Sequence, residues 1–261
     1  MRNGAGTGGG SSIVSELRDA ALAAPRSAPR LQCACQRKYV SYETGMLPVA
    51  PYCLSDPRGI AAIARYTFFL PSPAEIAAVG KDDLVKLTFE YVHETEKWAA
   101  ERMWVRIEES DSETLAGVLD NDPDEPTSKL RLGDPVNFQR HNILSIQWAN
   151  PEAAPQPEVY REYWERCLVD ACVLDGSVPV EYLYREEPDM QDDGDAYPDS
   201  GWRIRGRFDH ATDAEPDERQ VEYVALGAVL NQDDSWIDLI DAPIGSRFWR
   251  DFSTNTFSGE P

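Results

Sequence analysis

The chain of 261 residues has only three histidines, His93, His141 and His210, and no two of them are spaced four apart as a helical metal-binding pair would be. Nucleophilic catalysis combines a Ser or Cys with a His base and an orienting acid. No Gly-x-Ser-x-Gly elbow is present, and carboxylates are too abundant for a pair of them to be informative. The sequence therefore predicts a protein that is not an enzyme.

Long apolar runs are also absent. A transmembrane helix needs about 18 consecutive apolar residues or more, and the chain has no such run. The opening residues, MRNGAGTGGGSS, lack the charged and then apolar pattern of a secretory signal, and their glycines lack the Lys-Ser/Thr of a phosphate loop. Residues 1–30 are rich in Gly, Ser, Ala, Arg and Pro, which predicts a flexible, disordered tail on a cytoplasmic protein.

Cysteine is scarce and odd in number. The five cysteines give no disulfide framework, so reduced thiols are expected. Cys33, Cys35 and Cys53 could supply zinc ligands, but a closed zinc site needs four ligands, usually in two close pairs. We expect no metal and no cofactor, and the sequence leaves open whether the early cysteines bind one.

Charge is the composition's main asymmetry. The chain has 46 acidic residues and 25 Lys and Arg, a net charge of -21. Residues 1–80 carry a net +3, residues 81–180 a net -11, and residues 181–261 a net -13. A field of this sign repels nucleic acid and anionic membranes and speeds encounter with basic partners. The alternative is that the charge serves solubility alone.

The sequence of the first half of the chain predicts a small mixed α+β domain. Residues 66–70 form a strand candidate, and Ser72 with Glu75 forms a capping box that starts a short helix before Gly80. Period-two alternation predicts a strand over residues 83–92. The further predicted strands lie at residues 103–108, at 115–119 with a break at Gly117, within 130–138 after a turn at Gly133, and at 143–148.

This region contains four short sequence motifs, in the order ERMWVRIEE, GVLDNDP, LRLGDPVNF and HNILSIQW. Through them residues 83–148 resemble a bacterial family, domain of unknown function 2314. That family has no assigned reaction, so the resemblance implies a module and not a chemistry.

A linker and a second unit follow. Residues 149–157, ANPEAAPQP, have three prolines and predict a linker. Apolar residues spaced by three and four predict a helix from Glu158 to Val173. Two strands are then predicted, from Val178 to Glu186 and from Asp199 onward, joined by a long acidic loop.

A second resemblance is based on three sequence motifs, YREEP, DSGWR and the later LIDAPIGSRF. Residues 172–252 resemble domain of unknown function 2185, which is similar to immunity family 33 of polymorphic toxin systems. After Trp202 the family has a short Gly-Asp/Glu segment leading to a Tyr. Here FDHATDAEPDERQ intervenes, so the loop is longer and more acidic than that of the family.

Together these observations predict an α+β protein with two small mixed domains, each a short antiparallel sheet packed by helices. The predicted units are a tail over residues 1–30, a domain over 31–150 and an immunity-like domain over 156–261. The acidic charge and the second resemblance agree on an immunity-like protein that binds and neutralises a cognate, basic bacterial toxin. The alternatives are a small ligand-binding or regulatory module without a toxin partner and, third, an enzyme.

The candidate partner-binding residues are the acids that supply the field and the side chains that could anchor an interface. Trp202 is expected to be partly exposed beside the acidic loop, and adjacent Trp and Arg residues are common interface anchors. The candidates are Glu186, Glu187, Asp189, Asp192, Asp193, Asp195, Asp199, Trp202, Arg203 and Trp236.

Overall fold

A computed structural model describes residues 51–190, 194–208 and 218–259. The predicted tail over residues 1–30 lies outside the described residues, as do Cys33 and Cys35 and the candidate acids Asp192 and Asp193.

The first half of the described chain forms a six-stranded antiparallel sheet with two short helices. The strands run in the order β1-β2-β3-β4-β5, and β6 pairs with β2 beside β1. The elements are β1 (Tyr52–Leu54), α1 (Arg58–Ile63), α2 (Pro73–Ala78), β2 (Leu84–Tyr91), β3 (Ala100–Ser110), β4 (Thr114–Leu119), β5 (Pro135–Gln139) and β6 (Ser145–Gln147).

Alternating apolar residues create this sheet and its core. Val85, Leu87 and Phe89 of β2 are fully buried, and they pack with the inward residues of β3, β4 and β5. The strand predictions over residues 83–148 are confirmed, although β4 runs through Gly117 without a break. The strand predicted at residues 66–70 is wrong, because turns and irregular backbone occupy that segment, and β1 and α1 were not predicted.

The predicted capping box is present at the start of α2. The N–H of Glu75 donates to Ser72 Oγ at 3.2 Å, and the N–H of Ser72 donates to Glu75 Oε2 at 2.8 Å. Each side chain satisfies a backbone donor that the first helical turn would leave unpaired.

The second half forms a separate six-stranded sheet, in the order β10-β7-β9-β8-β11-β12. The pair β7 and β9 is parallel, and the other pairs are antiparallel. The elements are β7 (Arg166–Asp170), α3 (Ala171–Leu174), β8 (Val180–Arg185), β9 (Asp199–Gly206), β10 (Val221–Ala225), α4 (Leu226–Gln232), β11 (Arg247–Asp251) and β12 (Thr256–Gly259).

The helix predicted from Glu158 to Val173 is wrong. The segment before Arg166 has no regular structure, residues 166–170 form β7, and a single helical turn follows. β7 lies inside the sheet between β10 and β9, and Cys167, Val169 and Asp170 are all buried. Within β7 the burial does alternate, with Cys167 and Val169 buried and Leu168 half-buried, but a run of five residues is too short to be distinguished from a helix by periodicity.

The described chain is therefore mostly sheet with few, short helices, which agrees with a mixed α+β class; the parallel pair of β7 and β9 departs from the predicted antiparallel arrangement. Each sheet has its own apolar core on one face. Among the described residues, none of the helices has the length and hydropathy needed to span a membrane.

A segment from the first half also packs on the second core. The N–H of Tyr66 donates to Asn231 Oδ1 at 2.9 Å, and Asn231 Nδ2 donates to Thr67 Oγ1 at 2.7 Å. A Cβ on Gly227 of α4 would lie 2.7 Å from the Tyr66 carbonyl oxygen, so only glycine permits this approach. The division into domains at residues 31–150 and 156–261 stays a prediction.

Candidate partner-binding site

The acidic loop between β8 and β9 ends in a β-bulge at Gly201. Across this point the register between β7 and β9 shifts, so Arg166 opposes Asp199 whereas Leu168 opposes Arg203. Gly201 has φ +79, and a Cβ there would lie 2.1 Å from the Glu186 carbonyl oxygen. The strand predicted from Asp199 onward is confirmed, because Asp199, Ser200 and Gly201 begin β9. Because the bulge shortens the strand, Asp199 reaches Arg203, which a straight strand would place about 13 Å further along.

Arg203 lies at the centre of a carboxylate cluster. Its Nη1 and Nη2 donate to Asp199 Oδ1 and Oδ2 at 3.0 and 2.9 Å, in a bidentate arrangement. Nη2 also donates to Asp189 Oδ1 at 2.7 Å, and Nε donates to Glu186 Oε1 at 2.5 Å. The Arg203 side chain is 4% exposed, whereas those of Glu186 and Asp189 are 44% and 72% exposed. We call Arg203, Asp199, Glu186 and Asp189 the Arg203 cluster.

The charges of this cluster stabilise one another. Burial alone would raise the pKa of Asp199, but the hydrogen bonds from Arg203 and from the N–H groups of Gly201 and Met190 outweigh it and lower that pKa. Burial alone would lower the pKa of Arg203, and the bonds to Asp199 and Glu186 raise it above its ordinary value. The cluster has three carboxylates and one guanidinium, so it keeps a net charge of -2.

The remaining candidate acids lie around this cluster. Asp195 is paired with Arg166, whose Nε donates to its Oδ2 at 2.6 Å, so this pair adds no net charge. Glu187 is exposed and has no hydrogen bond or ion pair with another residue of the described part of the chain. The structure thus brings Glu186, Asp189, Asp199 and Arg203 together and leaves Glu187 to solvent.

The two candidate tryptophans are both buried. Trp202 and Trp236 are 0% exposed, and their rings meet edge to face at 5.7 Å. Trp202 Nε1 donates to the Ile240 carbonyl at 3.1 Å. The expectation that Trp202 is partly exposed is wrong, because it follows the bulge on the core side of β9. An apolar anchor at the protein surface has to come from other side chains.

The opposite face of the second sheet carries aromatic rings that the sequence analysis did not select. Tyr182 of β8 stacks on Trp249 of β11 with ring centroids 4.3 Å apart, and the rings of Tyr182 and Tyr184 are 5.5 Å apart. We call Tyr182, Tyr184 and Trp249 the aromatic ladder. The alternation of Tyr182 and Tyr184 in the predicted strand was a signal that both rings share one face.

A second buried ion network borders this ladder. Asp170 is fully buried, with Arg205 Nε at 2.9 Å and Arg219 Nη1 at 3.2 Å. The Gly206 N–H also donates to Asp170 Oδ2 at 2.9 Å. Two arginines of the same face, Arg203 and Arg205, are therefore both held by acids.

The surface beside Trp202 has a narrow groove of about 240 Å³, bordered by Arg161, Arg185, Asp199 and Asp241. Arg161 closes part of it by a bidentate pair with Asp241, both bonds at 2.6 Å. Small-molecule sites usually measure about 300–1,000 Å³, so this groove is small for a ligand. In the part of the chain that the structure describes, no group of three or more His, Cys, Asp or Glu side chains could hold a metal ion.

Together, the two sheets define two small mixed modules in tandem. In the second module, an acidic loop packs against Arg203 of β9. Comparison with known families agrees with this division. Residues 68–152 match the family described as "Uncharacterized protein conserved in bacteria (DUF2314)", and residues 167–258 match "Immunity protein Imm33 domain". The two matches follow one another along the chain, and both resemblances are confirmed.

Among curated proteins and among solved structures, nothing matches the chain. The Imm33 domain indicates a role in toxin immunity within polymorphic toxin systems, and it favours a role other than catalysis.

Proposed function

We propose that this chain is an immunity protein that binds a cognate bacterial toxin in the cytoplasm and neutralises it by protein–protein contact, with its acidic loop toward a basic toxin surface. The match of residues 167–258 to the Imm33 domain carries the proposal. Binding alone is enough for this function, so it requires no catalytic group and no cofactor.

The geometry of the acidic loop supports a cationic partner. Glu186 and Asp189 are fixed at one end by Arg203 and keep exposed carboxylate surface at the other. Glu187 adds an exposed carboxylate beside them. The bonds to Arg203 already restrict two of these side chains in the free protein. A Lys or Arg of the partner would therefore bind them with a smaller loss of side-chain conformational entropy.

The long-range field supports the same orientation. Residues 181–261 have 20 acidic residues and 7 arginines, for a net charge of -13. Opposite charges across an interface raise the association rate more than the final affinity, and salt screens that effect. Fast capture suits a protein that has to reach its toxin before the toxin reaches its target.

The experiment uses the toxin domain encoded by the neighbouring gene, as an active form for growth protection and an inactivated form for binding. We expect co-expression of the chain to protect cells, and the two proteins to associate rapidly at low salt. A locus without a toxin gene beside this one, or a toxin that the chain neither binds nor blocks, would refute the proposed function.

The acidic loop is tested with Glu187→Gln, alone and combined with Asp189→Asn. Both changes remove charge and preserve shape, and Glu187 lies outside the Arg203 cluster. We expect the association rate at low salt to fall several-fold and its salt dependence to flatten in both variants, with little change in the dissociation rate for Glu187→Gln alone. Glu108→Gln is the matched control, because Glu108 is an exposed acid on β3 of the other domain.

A further inference from the structure

The aromatic ladder lies on the face of the second sheet that points away from its core. Tyr182 is directly opposite Trp249 across β8 and β11, and Leu183 is opposite Phe248. Leu183 and Phe248 belong to the apolar core. Since neighbouring residues of a strand point to opposite faces, Tyr182 and Trp249 point outward. Tyr184, two residues beyond Tyr182, shares that outer face.

The ladder exposes a large aromatic surface in a fixed arrangement. Trp249 is 40% exposed although its ring is stacked on Tyr182, and the ring centroid of Phe208 lies 5.8 Å from that of Trp249. Tyr and Trp are the residue types most enriched at binding hot spots, because they offer much contact area with few rotatable bonds. Stacking on strands reduces the freedom of these rings further before any partner arrives.

The ladder is continuous with the acidic loop. Tyr184 is directly opposite Arg203 across β8 and β9, so the end of the ladder abuts the Arg203 cluster. Burial raises the pKa of Tyr184, and the charge of Glu186 raises it further. Arg247, exposed opposite Tyr184, adds one positive charge at this edge. Glu186, Glu187 and Asp189 still leave the rim negative.

We propose that the aromatic ladder is the apolar anchor of the toxin-binding interface, and that arginine or lysine side chains of the toxin lie over its rings and reach the carboxylates of Glu186 and Asp189. This inference rests on the proposed function. A cation that lies over an aromatic ring and beside a carboxylate is stabilised by both a cation–π contact and a charge-assisted hydrogen bond. The buried indoles of Trp202 and Trp236 then keep the sheet rigid behind the interface.

Charge favours a basic toxin over a second copy of this chain as the occupant. A second copy would bring another molecule with net charge -21 against the same face. Its acidic loop would then approach a rim of like sign, which costs free energy. A basic protein surface brings the opposite charge to the same place.

The test is Trp249→Ala, with binding to the inactivated toxin domain of the neighbouring gene measured by surface plasmon resonance. We expect the Kd to rise about 30-fold or more, mainly through faster dissociation, as for removal of a hot-spot residue. Trp98→Ala is the matched control, because Trp98 is 47% exposed in the other domain. We expect the control to bind like the wild type.

Tyr184→Ala provides a second variant in case loss of Trp249 unfolds the sheet, and we expect a Kd at least about 10-fold weaker. Thermal melts identify variants that are folded. A folded Trp249 or Tyr184 variant whose Kd stays within about threefold of the wild type would overturn the inference while leaving the proposed function intact. A wild-type dimer in light scattering that Trp249→Ala dissociates would also overturn it. Failure of the wild type to bind the toxin would instead refute the proposed function.

Discussion

The change Arg203→Met isolates the structural role of the Arg203 cluster. Methionine is unbranched and apolar, so it can occupy much of the space of the arginine stem while removing the guanidinium. Asp199, with a side chain that is 1% exposed, would then keep only its hydrogen bonds from backbone N–H groups. Its charge would remain buried without an opposite charge.

The expected cost follows from that burial. Breaking a buried ion pair by removing one partner costs about 3–5 kcal/mol. For a unit of roughly 150–250 residues, each 1 kcal/mol lowers Tm by about 2–4 °C, so the predicted drop lies between about 6 and 20 °C. Arg58→Met is the matched control: Arg58 pairs with Asp56 at 2.6 Å, but both side chains are largely exposed. Such a pair contributes at most about 1 kcal/mol.

The pH dependence gives an independent check. The folded-state pKa of Asp199 is lowered, so the carboxylate contributes stability above its unfolded-state pKa of about 3.9 and loses it as the pH falls through the folded-state value. Without Arg203 that lowering is reduced. We therefore expect the stability difference between wild type and Arg203→Met to be largest near neutral pH and to shrink below about pH 4.

Urea denaturation monitored by tryptophan fluorescence supplies the free energies of unfolding. A cycle of Arg203→Met, Asp199→Asn and the double variant measures the coupling, and we expect the double variant to be clearly more stable than the sum of the single effects predicts. A loss below about 1 kcal/mol for Arg203→Met, or additive effects in the cycle, would refute the role assigned to the cluster.

Two other structural predictions are independent of any partner. Gly201→Ala should destabilise the protein by more than about 2 kcal/mol in urea denaturation, because the added Cβ is strained at φ +79 and lies 2.1 Å from the Glu186 carbonyl oxygen. Gly245→Ala is the control for backbone strain alone, because Gly245 has φ +93 and open space around its Cβ position. Asn231→Ala should cost about 1–3 kcal/mol and speed proteolysis near Tyr66, because it leaves the Tyr66 N–H without its acceptor; unchanged melting and cleavage would contradict the contact.

Local patterns predicted the first sheet well. Its strands pair antiparallel and have one covered face, so alternation identified β2 and β3, and the capping box located α2. β1 is only three residues long and is held by pairing with β2 and not by its own pattern. Such a strand depends on tertiary contacts that a sequence reading cannot supply.

The second sheet was harder to predict because long-range contacts decide its details. β7 is an internal strand with a parallel neighbour, and its apolar residues imitated a helix. The strand from Asp199 onward was predicted, but the bulge at Gly201 within it was not. The expectation of an exposed Trp202 was based on the neighbouring acidic loop, whereas the residue follows the bulge with its ring buried in the core.

Under the proposed function, the acids of the β8–β9 loop and of the start of β9 have two separable roles, which a count of charges cannot distinguish. Asp199 is buried and holds Arg203, so its removal changes stability whether or not a toxin binds nearby. Glu186 and Asp189 hold Arg203 while exposing carboxylate surface, so their removal affects both folding and encounter. Glu187 reports on encounter, since no described residue depends on it. Neutralising the whole loop at once would therefore lose toxin binding for two reasons, and only the graded series from Glu187 through Asp189 to Asp199 assigns the loss to charge or to structure.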